Sequence, residues 1–294
     1  MRAVVVTEFG GPEAVEIAEV EVPEPGARQI RIKVAAAALN PVDAGVRAGG
    51  FGGAGRRLGL GWDVAGTVDA VGADAGWRVG EEVVALSYGA VKSLGTHADH
   101  VVVEADAVAG APSSVDPVHA ATLPLNALTA DQALDLLALE PGQSLAVTGA
   151  AGAVGGYAVQ LAAHRGLVVT GVAREGDEEL VRSLGAAHFA PGGVEGVDGV
   201  LDAAILGAAA LEWVRDGGVF VGVIPGTHPA SVRGVRTDSV EVRADGARLA
   251  ELVALVDEGV LTTRVAGTYG LEEAGKAHAR LAEGGLRGRL VLIP

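Results

Sequence analysis

A glycine-rich loop in the middle of the chain contains the residues that most directly indicate chemistry. Ser144–Thr148 has the small and β-branched residues of a strand, and residues 152–165 have the pattern of a helix. Glycines at such a turn let the main chain approach a pyrophosphate, whose charge then lies at the helix N-terminus. We therefore predict a dinucleotide-binding turn with these cofactor-binding residues: Gly149, Ala150, Gly152, Ala153, Val154 and Gly155.

The glycine pattern is imperfect, because Ala150 stands where a GxGxxG sequence has its first glycine. The alternative interpretation is a tight strand-to-helix turn in a chain rich in glycine and alanine. Strand-like and helix-like runs alternate on both sides of the loop, which is typical of βαβ units with a parallel sheet. This context favours the dinucleotide interpretation.

The end of the next predicted strand indicates which dinucleotide is bound. An NAD site places an acidic residue about 20 residues after the glycine loop, whereas this chain has Arg174 at that strand tip. A guanidinium binds a 2′-phosphate through paired hydrogen bonds, so we expect NADPH. The alternative is a surface arginine neutralised by the acids that follow it, Glu175, Asp177, Glu178 and Glu179.

The composition excludes other kinds of chemistry. The chain has 294 residues, no cysteine and a net charge of −15. Disulfides, thiolate metal sites and cysteine nucleophiles are therefore excluded, and the negative charge opposes binding to nucleic acid or anionic lipid. The first ten residues lack the apolar core of a signal peptide. We expect a cytoplasmic protein that binds a small-molecule substrate, and no nucleic acid or membrane.

The two halves of the chain differ in their secondary-structure pattern. The first 110 residues read as many short strands, such as Arg2–Thr7 and Gln29–Val34, which indicates a small barrel-like module. From Val118 a predicted helix reaches Leu139, and strands then alternate with helices. Val219–Ile224 is apolar throughout, as in a strand covered on both faces. Its last residues, Val223 and Ile224, are further predicted cofactor contacts.

Several motifs in a fixed order resemble one known family. They are ALNPVDAGVRAG at 38–49, GWDVAGTVDAVG at 61–72, LPLNALTADQAL at 123–134, the glycine loop and GLRGRLVLIP at 285–294. In this order they resemble the zinc-free, quinone oxidoreductase-like branch of the medium-chain dehydrogenase/reductase superfamily. The resemblance runs along almost the whole chain.

The resemblance implies an α/β protein with two domains. A GroES-like β-rich catalytic domain would span residues 1–115, completed by 266–294, and a Rossmann dinucleotide-binding domain would span 116–265. Members of the family commonly reduce quinones, enones or enoyl thioesters with NADPH. The resemblance thus implies an NADPH-dependent oxidoreductase, and no metal.

The differences from zinc-using members of the superfamily support the expectation that no metal is bound. Those enzymes carry Gly-His-Glu where this chain has Gly61-Trp62-Asp63, and a cysteine ligand that this chain lacks. The remaining candidates, His97 and His100, would face opposite sides of a regular strand because side chains alternate. Asp63 is expected to structure the loop beside the active site.

Four residues are candidates for catalysis: Asn40, Asp43, Tyr88 and His97. By resemblance, Asn40 lies in the turn beside the nicotinamide and orients the substrate, or else it caps the turn before Pro41. Asp43 holds that turn or contacts substrate. Val46 stands where relatives often have a tyrosine, so Tyr88 and His97 are replacement proton donors, although a solvated loop histidine is the alternative for His97.

Two further expectations concern the motif at 123–134 and the oligomeric state. Thr129 matches a family position near the nicotinamide and phosphates, and the alternative is a threonine bonded back to a helix carbonyl. Ser231–Arg243 alternates valines with polar residues, as in a strand at a sheet edge, so we expect a homodimer through the Rossmann domain. A non-catalytic NADPH-binding protein and a reductase dedicated to one biosynthetic intermediate are the alternative functions.

Overall fold

The structure is a computed structural model that describes residues 1–294. Its sixteen strands are β1 (Arg2–Val6), β2 (Glu16–Glu19), β3 (Gln29–Leu39), β4 (Leu58–Gly59), β5 (Asp63–Val71), β6 (Glu82–Leu86), β7 (His100–Glu104), β8 (Val108–Gly110), β9 (Ser144–Thr148), β10 (Val168–Val172), β11 (His188–Ala190), β12 (Val197–Asp202), β13 (Val214–Gly222), β14 (Arg236–Ser239), β15 (Val265–Gly270) and β16 (Arg289–Ile293).

Eight α-helices complete the regular structure. They are α1 (Pro41–Arg47), α2 (Pro117–Ala120), α3 (Pro124–Leu137), α4 (Ala153–His164), α5 (Glu178–Ser183), α6 (Ala208–Leu211), α7 (Gly246–Asp257) and α8 (Ala274–Ala282). Length and polarity rule out a transmembrane span for every one of them.

The chain divides into two compact units. Unit 1 comprises Met1–Leu125, Arg243–Asp257 and Thr263–Pro294, and unit 2 comprises Asn126–Val242 and Glu258–Thr262. Both units are discontinuous in sequence, because the chain returns to unit 1 and crosses unit 2 once more before its final strands.

Unit 2 is built on a six-stranded sheet in which every pairing is parallel. The strand order is β11-β10-β9-β12-β13-β14, which by order in sequence is 3-2-1-4-5-6. This is the Rossmann order. From β9 the successive strands are added first towards one edge of the sheet and then, from β12 on, towards the other edge, so the order of addition reverses between β9 and β12. Leu145 and Phe220 lie fully buried in central strands, as expected for a sheet covered on both faces. The predicted Rossmann fold is confirmed.

Unit 1 is mainly antiparallel. A seven-stranded sheet runs β15-β16-β3-β5-β6-β8, with β7 also paired to β3, and a smaller sheet has the order β2-β1-β4. β3 is the longest strand, and β5, β7 and β16 all pair with it. Alternate residues such as Ile30 and Ile32 point into the core. The resulting scaffold carries α1 directly after β3.

The division into units differs from the predicted domain boundaries. Residues 116–125, 243–257 and 263–265, predicted to belong to the Rossmann domain, group with unit 1. For residues 243–257 the reason is that α7 packs closely on β8, where a Cβ at Gly246 would overlap the carbonyl oxygen of Val108. The other end of α7 is held through Asp257, whose carboxylate accepts the main-chain N–H groups of Ser113 at 3.2 Å and Ser114 at 2.8 Å.

Some predicted elements have different bounds. The predicted helix 118–139 is two helices, because Pro124 lacks an N–H and its fixed φ suits the first position of a new helix. The predicted strand 219–224 ends at Gly222, so Val223 and Ile224 lie beyond it. The predicted edge strand 231–243 is only the four residues of β14, which is nevertheless the sheet edge.

Candidate functional site

The turn between β3 and α1 is organised by a buried carboxylate. Asp43 is completely buried, and it accepts hydrogen bonds from the main-chain N–H of Asn40 at 2.8 Å and of Gly61 at 2.7 Å. Gly61 has φ of +100°, a conformation that favours glycine. Asp43 therefore ties the start of α1 to the segment before β5, which agrees with a structural role.

A second buried carboxylate fixes the Asn40 side chain. Asp63, the first residue of β5, accepts a hydrogen bond from Asn40 Nδ2 at 2.6 Å and another from the main-chain N–H of Leu125 at 2.6 Å. Burial raises the pKa of the Asp63 carboxyl to about 7, against the effect of these donors. The Asn40 amide is thus held in one orientation by a group that is itself fixed at both oxygens.

Next to Asp63 lies a group of residues that we name the Trp62 cluster: Trp62, Ser87, Tyr88 and Lys92. The Tyr88 ring meets the Trp62 ring edge to face, with centroids 5.3 Å apart, and Tyr88 is 49% exposed. Lys92 Nζ lies 5.2 Å from the Trp62 ring centroid, within cation–π range, and donates to the carbonyl oxygen of Ser87 at 2.7 Å and to its Oγ at 3.2 Å.

Lys92 was not among the residues predicted from sequence. Burial lowers the pKa of its ammonium to about 8, against the opposing effect of Asp43 and Asp63. The loop 87–95 carries no recognisable motif. The partners of Lys92 are Ser87 in that loop and Trp62, which lies 30 residues earlier in the chain, and no short sequence pattern reveals this combination. One signal was available: the chain has only three lysines among its 22 basic residues, and one of them is in this loop.

His97 is not the solvated loop histidine considered in the sequence analysis. It is 1% exposed, and Nε2 lies 3.0 Å from the carbonyl oxygen of Ala38, so Nε2 carries a proton and donates it. Nδ1 is buried without a partner, and burial lowers the pKa of the ring. The only N–H of the neutral ring is thus committed to the main chain, which argues against His97 as a proton donor to substrate.

In unit 2, the glycine loop has the close contacts that a nucleotide turn requires. Gly149 has φ of +60°, and Gly152 is the N-cap of α4. A Cβ at Gly155 would overlap the main chain of Gly149, so only glycine lets α4 lie this close to the loop. Ala150 is completely buried and its N–H donates to Val172 at 3.2 Å, so this alanine fits where the common pattern has glycine.

The glycine loop lies at the point where the strand order reverses. Thr148 Oγ1, at the end of β9, donates to Asp202 Oδ1 at 2.6 Å and accepts the N–H of Ala204 at 2.8 Å. Open α/β sheets bind ligands beside the carboxyl ends of their strands at this reversal. A pocket there is lined by Asp202, Ile205, Gly207, Phe220, Gly222, Val223, Ile224, Thr227 and His228, so it includes both predicted residues after β13.

The remaining predicted residues of unit 2 lie on neighbouring elements. Arg174 follows β10 and is exposed, and its guanidinium makes no hydrogen bond or ion pair. Of the acids that follow, Glu178 is paired with Arg182 at 2.8 Å. The guanidinium is therefore available to an anion. Thr129 is buried on α3.

No three His, Cys, Asp or Glu side chains come together as a metal site. His100 Nε2 lies 3.3 Å from Asp69 Oδ2, whereas His97 bonds to Ala38. The two histidines therefore have separate partners, and Asp63 is occupied by Asn40 and Leu125.

Comparisons with known proteins agree with the two-part architecture. Residues 26–113 match the alcohol dehydrogenase GroES-like domain and residues 176–292 match a zinc-binding dehydrogenase domain. The chloroplastic NADPH-dependent alkenal/one oxidoreductase of Arabidopsis thaliana is 33% identical, over 100% of this chain and 80% of its own length.

Two solved structures extend the agreement to the fold. The quinone oxidoreductase of Coxiella burnetii has a TM-score of 0.90 and 26% identity, covering 100% of this chain and 99% of its own. A mycobacterial protein complexed with NADPH has a TM-score of 0.86 and 26% identity, with both chains covered completely. The chain belongs to the medium-chain dehydrogenase/reductase superfamily, in its quinone oxidoreductase-like branch.

In unit 1 a buried pair, Arg47 and His278, lies near His97. Arg47, in the last turn of α1, donates from Nη1 to His278 Nδ1 at 3.2 Å and from Nε to the carbonyl oxygen of Gly10 at 3.2 Å. Burial, with a smaller contribution from the neighbouring His97 and Arg47, lowers the pKa of His278 to about 3. The folded protein therefore holds His278 neutral well below the ordinary histidine pKa of about 6.5.

This pair predicts acid sensitivity. Unfolding lets His278 take up a proton below about pH 6.5, so its contribution to stability falls by up to about 1.4 kcal/mol for each pH unit down towards 3. In His278→Gln the free energy of unfolding should change less between pH 7.5 and 5.0 than in the unmodified protein. Urea titrations at both pH values measure this, with the exposed His188→Gln as control.

Asp63 acts in the opposite direction, because its raised pKa favours the folded state at low pH, and it is present in all three proteins. The difference between variants therefore isolates His278. The same pH dependence in His278→Gln and in the unmodified protein would show that His278 is not held neutral.

Proposed function

We propose that the protein is an NADPH-dependent reductase that transfers a hydride to a quinone or to the C=C bond of an enone, without a catalytic zinc. Its family is one of oxidoreductases, and its relatives include an NADPH-dependent alkenal/one oxidoreductase and a quinone oxidoreductase. The observation that carries the proposal is the glycine loop 149–155, which lies where the strand order of the unit 2 sheet reverses, together with the unpaired guanidinium of Arg174 at the end of the neighbouring strand β10.

The residues present fit a nicotinamide dinucleotide. The pyrophosphate would lie over Gly152 at the N-terminus of α4, which the close contact of Gly155 with Gly149 brings up against the loop. Arg174 would bind the 2′-phosphate, and the pocket with Val223 and Ile224 would receive the ring end of the cofactor. When bound, NADPH supplies the hydride. Thr129 is retained as a proposed cofactor contact.

The residues of unit 1 supply orientation. The Asn40 amide, which Asp63 holds in one orientation, is a preorganised dipole, and we assign it the role of orienting the substrate carbonyl. Asp43 and Asp63 keep it in place. Tyr88, whose ring contacts Trp62 and is half exposed, is also part of the proposed catalytic set. We propose that no zinc takes part, because the positions equivalent to ligands carry Trp62 and no cysteine.

A turnover assay tests this function. Purified protein is mixed with NADPH or NADH and a panel of quinones and enones, before and after exhaustive chelation, and the absorbance of the reduced nicotinamide is followed. We expect turnover with NADPH that survives chelation. Tight NADPH binding without turnover on any acceptor would instead support a non-catalytic NADPH-binding protein, and activity lost on chelation and restored by zinc would refute the zinc-free proposal.

Arg174 should determine cofactor choice. Arg174→Ala removes a charge-assisted contact to the 2′-phosphate worth about 1.5–3 kcal/mol, so the Kd for NADPH should rise by one to two orders of magnitude. The Kd for NADH should barely change. Fluorescence titration of both cofactors gives the measurement, with Arg182→Ala on α5 as the control arginine. Equal losses for both cofactors would exclude recognition of the 2′-phosphate.

We also propose a homodimer through the edge of the unit 2 sheet. The N–H of Val240 bonds back to Gly222 of β13 at 2.9 Å, and N–H groups alternate in direction along a parallel strand. Those of Thr237 and Ser239 therefore point away from the sheet, and the N–H of Ser239 is 2.8 Å from Asp238 Oδ1. Thr237 is left to pair with a second β14 strand.

Proline at Thr237 should dissociate the dimer, because it removes that outward donor without affecting the bonds to β13. Sedimentation at micromolar concentration should give about twice 29.3 kDa for the unmodified protein and for the control Thr237→Ser, and about 29.3 kDa for Thr237→Pro. A monomeric unmodified protein, or a Thr237→Pro variant that remains dimeric, rejects this interface.

A further inference from the structure

The reaction proposed above creates a negative charge that the residues assigned so far do not neutralise. A hydride added to a quinone, or to the β-carbon of an enone, moves an electron pair onto the carbonyl oxygen. A proton must then reach that oxygen. The donor has to be acidic near neutral pH, have an uncommitted N–H or O–H group, and be fixed in place.

Most polar groups near Asn40 fail one of these conditions. Asp43 and Asp63 are buried and accept N–H bonds at both carboxylate oxygens. His97 is buried and its single N–H bonds to Ala38. The Asn40 amide cannot release a proton at neutral pH. Tyr88 and Lys92, both in the Trp62 cluster, remain.

The environment of Lys92 favours it over Tyr88. Its ammonium has three N–H groups, and two oxygens of Ser87 engage two of them. It makes no ion pair with a carboxylate, and the Trp62 ring lies 5.2 Å away. The side chain is half-buried. The third N–H is thus held in a fixed direction, available to a group that approaches from solvent.

The choice of lysine over arginine is also informative. The other two lysines, Lys33 and Lys276, are exposed, and Lys276 is paired with Glu273 at 2.9 Å. Elsewhere the buried cation that is not a histidine is an arginine, Arg47. A guanidinium would satisfy Ser87 and stack on Trp62 equally well, but it cannot release a proton at neutral pH, whereas an ammonium can.

We propose that Lys92 is the catalytic acid, which gives a proton from Nζ to the substrate oxygen that becomes negative. The N–H bond breaks as the O–H bond forms, the electron pair of the new oxyanion forms that bond, and neutral Lys92 regains a proton from water. The inference rests on the proposed function. It applies to quinones and enones alike, since both develop charge on oxygen.

The charge on Lys92 is governed by a small set of neighbours. Burial lowers its pKa to about 8, and the carboxylates of Asp43 and Asp63 raise it. Lys92 in turn lowers the pKa of His97. Because Asp63 titrates with a pKa of about 7, the activity of the unmodified protein should show one pH transition there and another near 8.

Lys92→Arg tests the assignment, because it keeps the charge, the bonds to Ser87 and the contact with Trp62. We expect NADPH binding and the circular dichroism spectrum to stay unchanged, kcat at pH 7 to fall at least 100-fold with both acceptor types, and the transition near pH 8 to disappear. Lys33→Arg, in an exposed position on β3, is the matched control and should keep kcat within twofold.

A second readout does not depend on turnover. Competitive acetylation of the unmodified protein, followed by mass spectrometry at a series of pH values, should give Lys92 a midpoint near 8, whereas Lys276, whose pKa is raised by its hydrogen bond to Glu273, should react only at higher pH. A midpoint for Lys92 above 10 would overturn the inference. So would a Lys92→Arg variant with normal kcat, or one whose slower reaction keeps the transition near pH 8.

The outcomes also separate this inference from the proposed function. An unmodified protein that turns over no acceptor rejects the function, and Lys92 as its acid with it. If the unmodified protein is active and Tyr88→Phe, rather than Lys92→Arg, shows the 100-fold loss, the reductase stands and the acid is Tyr88.

Discussion

Two buried carboxylates hold the local structure on which the candidate site of unit 1 depends. A carboxylate without water is stable only if N–H groups take the place of its hydration. Asp43 and Asp63 obtain those groups from Asn40, Gly61 and Leu125. Because each bond has to form, the start of α1, the start of β5 and the start of α3 are held at fixed distances. The orientation of Asn40 is a consequence of this requirement.

The two units build their sites in different ways. In unit 2 the site is formed mainly by the main chain: a left-handed turn at Gly149, the N-terminus of α4 and the close approach at Gly155. In unit 1 the site is made of side chains, including the Trp62 cluster, that are held by one another and by main-chain groups. A site formed by the main chain keeps its hydrogen-bonding groups when a glycine is replaced by an alanine such as Ala150, provided that there is space for the Cβ. A site formed by side chains loses a hydrogen bond when one of those side chains is replaced.

This difference explains how much could be predicted from the sequence. The glycine loop, the strand Ser144–Thr148 and the position of Arg174 follow from short-range patterns, and they are where they were expected. The burial of His97 and the lowered pKa of Lys92 depend on contacts between residues far apart in the chain, such as His97 with Ala38. The assignment of α7 to unit 1 depends on its packing against β8, which no pattern within the helix reveals.

The pairing of β16 with β3 has a consequence for synthesis on the ribosome. Leu290 and Leu292 lie opposite Leu39 and Ala37, so the sheet of unit 1 remains incomplete until some 250 residues after β3 have been made. Almost all of unit 2 has emerged by then, and domains fold as units during translation. The nucleotide-binding half can therefore be finished first, while the last residues of β3, 37–39, wait unpaired beyond the stretch that β7 covers. That waiting edge is the point at which a nascent chain most needs protection from aggregation.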